Sequence, residues 1–284
     1  MKTSFSRSLA ALLLLVGYTN KDFAQDTLCY PLFNCSDVKE QNVMVIREAN
    51  VQFPEILTGN EKQSIDYIEK FSSTRKAYLV RTYNRSKELF PKAAEILKKH
   101  DVPQEFKVLL ALESSFNPNA VSSAGAVGYW QIMDNVAREY GLKISHSKNG
   151  FKKRSKAGRK GRKTISVDER KNFDRSTHVA AQYLKDRSRN LNNDWLLIAA
   201  SYNWGVGNIW KAMEKTGKSN PTFWDIQQYL PTETKAYVMN FITLNVIFHN
   251  YKNFFENKLC FKAITKTTDP LAEELALKNT SFIY

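Results

Sequence analysis

Glu113 stands in a setting that few carboxylates occupy. The run leading to it from Pro103 carries Phe106, Val108, Leu109, Leu110 and Leu112. Apolar on almost every side, it describes a helix buried in a core. Phe106, Leu109, Leu110 and Glu113 follow the i, i+3, i+4, i+7 spacing, so the acid shares a helix face with three large hydrophobes. Removal from water disfavours a carboxylate and raises its pKa, which is what a carboxylic acid needs to donate a proton near neutral pH. A glutamate paired with an arginine in the core is the plainer alternative.

Turn-forming and small residues follow. Asn117-Pro118-Asn119 is expected to end the helix, and Ser122-Ser123-Ala124-Gly125-Ala126 is a run over which backbone can approach a ligand closely. Gly128-Tyr129-Trp130-Gln131-Ile132-Met133 then adds aromatics, an amide and a thioether. Further on, Trp195, Ile198, Ala199 and Tyr202 recur at helical spacing behind a cap at Asn193 or Asp194, which puts the Tyr202 ring on the buried side. Asn203, Gly205 and Gly207 come next. In Leu230-Pro231-Thr232-Glu233-Thr234-Lys235-Ala236-Tyr237-Val238, Thr232 is the expected N-cap of a helix packing through Tyr237, Phe241, Leu244 and Phe248. A buried tyrosine is more often core than catalytic, so these residues gain meaning only together.

In this order the motifs resemble the lytic transglycosylase family (SLT domain, lysozyme-like superfamily), enzymes that cut peptidoglycan. Its hallmark is a Glu-Ser pair, here Glu113-Ser114, followed by Gly-x-x-Gln-x-Met, here Gly128 to Met133. Tyr202-Asn203 matches the family's Tyr-Asn motif, and 230–238 its Leu-Pro-x-Glu-Thr-x-x-Tyr-Val signature. The likeness is greatest to the membrane-bound lytic murein transglycosylase D type. Phe53-Pro54-Glu55-Ile56-Leu57-Thr58-Gly59-Asn60 and Leu89-Phe90-Pro91 resemble the approach segment of those enzymes. Val167-Asp168-Glu169-Arg170 and Ser176-Thr177 resume the pattern later, so the match runs from Val51 to roughly Asn250. Two departures are Ser201, where alanine is usual, and Asp134, where a proline-containing pattern is common.

The resemblance implies a reaction. Ordinary glycosidases place two carboxylates around an oxocarbenium-like transition state, whereas only Glu113 is well motivated here. The family's substrate supplies the missing groups: the N-acetyl group of N-acetylmuramic acid stabilises the cation, and the sugar's own 6-hydroxyl attacks. The β-1,4 bond to N-acetylglucosamine is thereby cleaved without water, giving 1,6-anhydromuropeptides in cell-wall turnover. Glu113 would be the catalytic acid and then base. Ser114, Gln131 and Asn203 would bond the N-acetylated sugars, Tyr202 would orient Glu113, and Met133 and Tyr237 would line an apolar wall. The alternatives are a hydrolytic muramidase on the same fold and a non-catalytic wall-binding protein, which would have no need of a buried acid.

Around these residues the chain reads as helices. Amphipathic periodicity predicts them over 61–71, 74–90 and 92–100, punctuated by Pro91 and Pro103. No alternating strand pattern competes, so the expected class is all-α. The resemblance implies a lysozyme-like catalytic lobe with an N-terminal helical extension, leaving room for a short hairpin near Gly141. Residues 1–25 read as a signal peptide, because Lys2 and Arg7 precede an apolar run from Leu9 to Val16 too short to span a bilayer. Ala24-Gln25 is a poor cleavage match, so an uncleaved anchor is the alternative, and Asp26-Thr27-Leu28 before Cys29 does not read as a lipobox. The expected organisation continues with the helical extension at 26–95 and the catalytic domain at 96–252 with a basic insertion at 142–166. A tail at 253–284 without a LysM repeat completes it.

With 43% hydrophobic and 25% charged residues among 284, composition is ordinary for a globular chain able to bury a real core. Export would permit a disulfide between Cys29 and Cys35, leaving Cys260 odd. His100, His146, His178 and His249 are scattered without ligand spacing, so no cofactor and no metal are expected. The formal charge is +14, and nine cations fall between Lys148 and Lys163, interrupted by Gly150, Gly158 and Gly161. Phe151 alone breaks that run as an aromatic, which leaves it without the stacking residues of a single-strand nucleic-acid binder. The expected partners are peptidoglycan glycan strands, and no nucleic acid. Electrostatic contact with anionic envelope polymers through 148–163 is a further expectation, set against a merely solvated insertion. A monomer exported to the periplasm or cell envelope fits these readings.

Overall fold

In a computed structural model, residues 48–145 and 167–263 are described. The expected signal segment, Cys29, Cys35, the basic run 148–163 and most of the C-terminal tail lie outside them. Eleven α-helices follow one another among the described residues. They are α1 (Glu61–Thr74), α2 (Lys76–Ser86), α3 (Leu89–Lys99), α4 (Leu109–Ser114), α5 (Asp134–Glu139), α6 (Phe173–Asn190), α7 (Trp195–Trp204), α8 (Val206–Glu214), α9 (Phe223–Ile226), α10 (Thr232–His249) and α11 (Tyr251–Phe255). Extended pairing is limited to three isolated bridges, Val121 with Val127, Val127 with Ile132, and Ile144 with Asp168. The class is all-α; Ile144 and Asp168 pair near Gly141, and residues 146–166, where a hairpin there would continue, lie outside the described residues.

Helix α10 is the centre of the unit formed by Gln52–Tyr251. No charged residue interrupts it from Tyr237 to Phe248, and every side chain from Val238 to Ile247 except Asn240 is buried. The single packed face expected from Tyr237, Phe241, Leu244 and Phe248 is therefore too narrow: a helix apolar all round belongs inside. Helices α1, α4 and α7 pack on it. Phe106, fully buried, bridges to it through Phe241 (ring centroids 5.1 Å) while meeting Trp195 of α7 edge-on at 5.7 Å. Each such ring removes a large apolar area from water, worth about 1.5–3 kcal/mol per side chain.

Local chemistry moves several expected boundaries. Helix α3 starts before Pro91 rather than after it, because a proline in the first turn lacks only an N–H that has no intrahelical partner there. The domain boundary drawn near residue 95 falls inside α3, which packs on the 3-10 turn Gln104–Val108 and on α6. Thr232 is the first residue of α10 and not its cap; Pro231 precedes it and no side-chain cap bond forms. Asp194, not Asn193, caps α7, its Oδ1 accepting from the N–H groups of Leu196 (3.0 Å) and Leu197 (2.9 Å). In the second unit, the described segments 48–51 and 252–263 are joined by the Cys260 N–H, which donates to Asn50 Oδ1 at 2.8 Å.

The 3-10 turn Gln104–Val108 feeds α4, which ends at Ser114, earlier than the Asn-Pro-Asn turn suggested. Ser115 (φ 50°) and Phe116 (φ 66°) are both left-handed, and the Phe116 N–H donates to Leu110 O at 3.1 Å, closing the helix sharply. The chain then forms a tight loop over 120–132 in which Val127 and Ile132 exchange both backbone hydrogen bonds at 3.1 Å. Gly128 adopts φ 85°, and a Cβ there would sit 2.1 Å from the carbonyl oxygen of Arg170. Gly125 is equally left-handed but faces open space. Gly128→Ala should accordingly lower unfolding free energy by about 3 kcal/mol or more, against about 1 kcal/mol for Gly125→Ala. Urea titration of both variants checks this, and equal losses would show that the approach to Arg170 does not constrain the loop.

Candidate active site

Glu113 occupies the last turn of α4 and is 8% exposed, beside fully buried Phe106, Leu109 and Leu110. Burial pushes its carboxyl from the usual 4.5 up to about 7, and the Tyr237 hydroxyl, donating to Oε1 at 2.5 Å, pulls the other way by favouring the carboxylate. Among the described residues no arginine pairs with it, so the paired-core alternative finds no support there. Burial, followed by the charge of Glu113, holds the phenols of Tyr202 and Tyr237 well above 10. Both phenols therefore remain hydrogen-bond donors throughout the physiological range.

The hydroxyl that bonds the acid is that of Tyr237 and not that of Tyr202, which donates to the Trp130 carbonyl at 2.7 Å. Tyr237 is thus no mere wall residue. Helical spacing assigned both rings to a buried side, but which hydroxyl reaches the acid depends on how α7 and α10 pack. Ser114 points its Oγ at the Tyr129 carbonyl (2.9 Å) and the Leu110 carbonyl (3.2 Å). Gln131, left-handed at φ 47° and 9% exposed, donates from Nε2 to the carbonyls of Ala120 (3.1 Å) and Gly128 (3.0 Å). Ser114 and Gln131 consequently bind the loop where sugar contacts were expected. Asn203 accepts from Thr234 Oγ1 at 2.9 Å, and half-buried Met133 is the N-cap residue of α5.

Other residues that build the site carried little signal in the sequence. The indole N–H of fully buried Trp130 donates to Thr177 Oγ1 at 2.9 Å, fixing the loop to α6. Arg170, 4% exposed, pairs with Asp168 at 2.8 Å and reaches the carbonyls of Gly125 and Ile132, both at 3.3 Å. Its guanidinium holds the Asp168 carboxyl below the usual carboxylate range. The Asp-Glu-Arg triplet was visible as a motif fragment, but the left-handed Gly128 pressed on Arg170 was its only structural clue. Among the described residues, no group of three His, Cys, Asp or Glu side chains converges to hold a metal ion.

Burial of Glu113 couples its proton to stability. Its folded pKa, about 7, lies above the unfolded value near 4.5, so the associated stability is fully present below pH 4.5 and is lost as pH rises through 7. Glu113→Gln removes that dependence. The variant should exceed wild type by about 3 kcal/mol at pH 8 and match it near pH 4, as read by urea unfolding. Tyr237→Phe should raise the carboxyl pKa further, by about one pH unit, since it deletes a hydrogen bond to the charged form. A 13C titration of the Glu113 carboxyl reads this directly, and an unchanged midpoint would exclude Tyr237 as its partner.

Comparison with known proteins bears on this geometry. Residues 90–224 match the family model described as the transglycosylase SLT domain. A curated relative, membrane-bound lytic murein transglycosylase D of Escherichia coli strain K12, is 34% identical over 161 residues, covering 56% of this chain. The chain spans about a third (31%) of that relative's length. Among solved structures, an inactive mutant of lytic transglycosylase Slt from Pseudomonas aeruginosa is similar at TM-score 0.41 and 18% identity, over 70% of this chain and 30% of that one. The 70 kDa soluble lytic transglycosylase from Escherichia coli gives TM-score 0.41 and 15% identity over 72% and 38%. The segment that holds Glu113, the 120–132 loop and Tyr202 lies within the match to the transglycosylase SLT domain model and is similar to the lytic transglycosylase D sequence.

Proposed function

We propose that this protein is a peptidoglycan lytic transglycosylase that cleaves the β-1,4 bond between N-acetylmuramic acid and N-acetylglucosamine and releases 1,6-anhydromuropeptides. The observation that carries the reading is the Glu113 carboxyl, buried, bonded by a single phenol and poised near pH 7. An acid with that pKa can protonate the leaving glycosidic oxygen and then, as a carboxylate, accept the proton of the sugar's 6-hydroxyl. Tyr237, donating to the carboxylate, favours the form required in the second step. Asn203, whose Oδ1 is taken by Thr234, keeps its amide N–H groups for an N-acetylated sugar. Met133, half-buried just before α5, would offer an apolar contact. Ser114, Gln131 and Tyr202 serve by fixing the loop between Glu113 and Met133.

A second carboxylate across the bond would favour the hydrolytic alternative. Among the described residues, burial and the Tyr237 hydroxyl are the influences acting on Glu113, with no ionised carboxylate among them. That leaves the substrate's own N-acetyl group as the natural stabiliser of the cation. Envelope location accords with this reading and with a relative named as membrane-bound. Among the described residues, no helix is long and apolar enough to cross a membrane. The cations at 148–163 would add long-range attraction to anionic wall polymers.

Digestion of purified sacculi followed by mass spectrometry is the decisive measurement. Muropeptides one water lighter than reducing-end products are expected. Glu113→Gln should release them on the order of 100-fold more slowly, the scale of a lost general acid-base group. Mainly reducing-end products would instead establish a muramidase.

A further inference from the structure

Away from Glu113, Tyr83 of α2, Phe90 of α3 and Phe248 of α10 line a cavity of about 540 Å³. The Phe248 ring lies 5.4 Å from that of Tyr83 and 6.1 Å from that of Phe90, so the three form one continuous aromatic floor. Two ammonium groups stand over it: Lys87 Nζ is 5.8 Å from the Tyr83 centroid, and Lys107 Nζ is 5.9 Å from the Phe90 centroid. A volume of this size, in which aromatic rings are rimmed by polar side chains such as Lys87, Gln104, Glu105, Lys107 and Asn245, can hold a ligand that is part apolar and part charged. Asn245, also in its lining, lies eight residues beyond Tyr237 on α10, about 12 Å along the axis at the helical rise. The cavity is therefore separate from the carboxyl. It is joined to it by one ring contact, since Phe116, just after α4, meets Phe90 at 5.7 Å.

The charges define the occupant. Lys87 and Lys107 face the cavity against one carboxylate, Glu105. Lys107 is half-buried and donates to the neutral Gln104 Oε1 at 3.2 Å; burial lowers its pKa, with Glu105 opposing. An ammonium partly withdrawn from water gains more from an anion than an exposed one does. A neutral N-acetylated sugar would use the rings but leave both cations unpaired. We propose that the cavity binds a short acidic peptide with small apolar side chains, the chemistry of a peptidoglycan peptide stem, with its methyl groups on the Tyr83, Phe90 and Phe248 rings and its carboxylates at Lys87 and Lys107. This deepens the transglycosylase reading and rests on it for the source of the peptide. The site would hold a strand by its peptide while Glu113 acts on its glycan.

Aromatic NMR of the full chain tests the assignment with three probes: a synthetic alanyl-γ-glutamyl-alanine peptide, its carboxamide counterpart and chitotetraose. The acidic peptide should perturb Tyr83, Phe90 and Phe248. Its affinity should fall about tenfold either on amidation, which needs no variant, or in the Lys87→Gln/Lys107→Gln double variant, the scale of losing charge-assisted hydrogen bonds. Lys107→Arg should retain binding. With peptide-bearing strands the double variant should raise KM several-fold at unchanged kcat, and with peptide-free glycan it should match wild type. Equal binding of acid and amide, or shifts confined to Tyr202 and Tyr237, would overturn the assignment. Peptide binding needs no turnover: a protein that binds the peptide at these rings yet gives no anhydro product upholds the cavity and removes the lytic reading.

Discussion

A carboxyl group held out of water at the end of a buried helix is costly, and the organisation of this protein follows from that cost. Glu113 is reached through Phe106, Leu109 and Leu110, none of them exposed. No ion pair repays its desolvation; a neutral phenol does so in part, through a hydrogen bond that strengthens when the acid ionises. An arginine in place of Tyr237 would have brought a second desolvated charge into the core, a cost that the resulting ion pair need not repay. It would also have pinned the carboxyl in its charged form. The phenol leaves the proton available.

The loop from 120 to 132 is strained, and its strain is held by side chains that otherwise look like candidates for substrate binding. Gln131 is left-handed, as are Gly125 and Gly128. Backbone carbonyls across this loop accept from Ser114, Gln131, Tyr202 and Arg170, and the Trp130 ring is locked to Thr177. Such over-determination is what allows sparsely populated backbone conformations to persist. Ser114, adjacent to Glu113, ties α4 to the loop, so that the acid and the loop move as one body. Motif residues flanking a catalytic group can thus matter for position without touching the reacting atoms.

How much of this was legible in the sequence depends on whether an interaction is local. The burial of Glu113 could be read because helical spacing places it on one face with Phe106, Leu109 and Leu110. The order of motifs pointed to the SLT family, whose model matches residues 90–224. What spacing could not supply was the pairing between distant helices: Tyr202 and Tyr237 both fall on buried sides, yet only Tyr237 is carried by α10 to the carboxyl. Arg170 could be read as part of a motif, but its task could not, for the same reason, its partners lying 38 and 45 residues away in the loop. The end of α4 was misjudged because Ser115 and Phe116 take left-handed conformations that no glycine announces. The all-round burial of α10 was under-read because a four-residue stripe was counted where the whole run from Tyr237 to Phe248 is uncharged.

The uniform burial of α10 has a further consequence for chemistry. A helix packed on all sides has no soft face along which to rotate, so the Tyr237 hydroxyl is fixed relative to Glu113 by the same side chains that make the core. At its other end the same helix presents Phe248 to a different cavity, with Phe90 and Phe116 leading from there back to the end of α4. A helix contacting both sites, together with the Phe90–Phe116 ring pair that follows α4, fixes their separation. On the proposed reading, that separation lets a strand gripped by its peptide present a glycosidic bond to Glu113 in a defined register. The benefit is an entropic one, since a substrate positioned by a remote contact no longer loses that freedom in the chemical step. On that reading, the fold that makes the acid available also sets the span between the peptide contact and the bond to be cleaved.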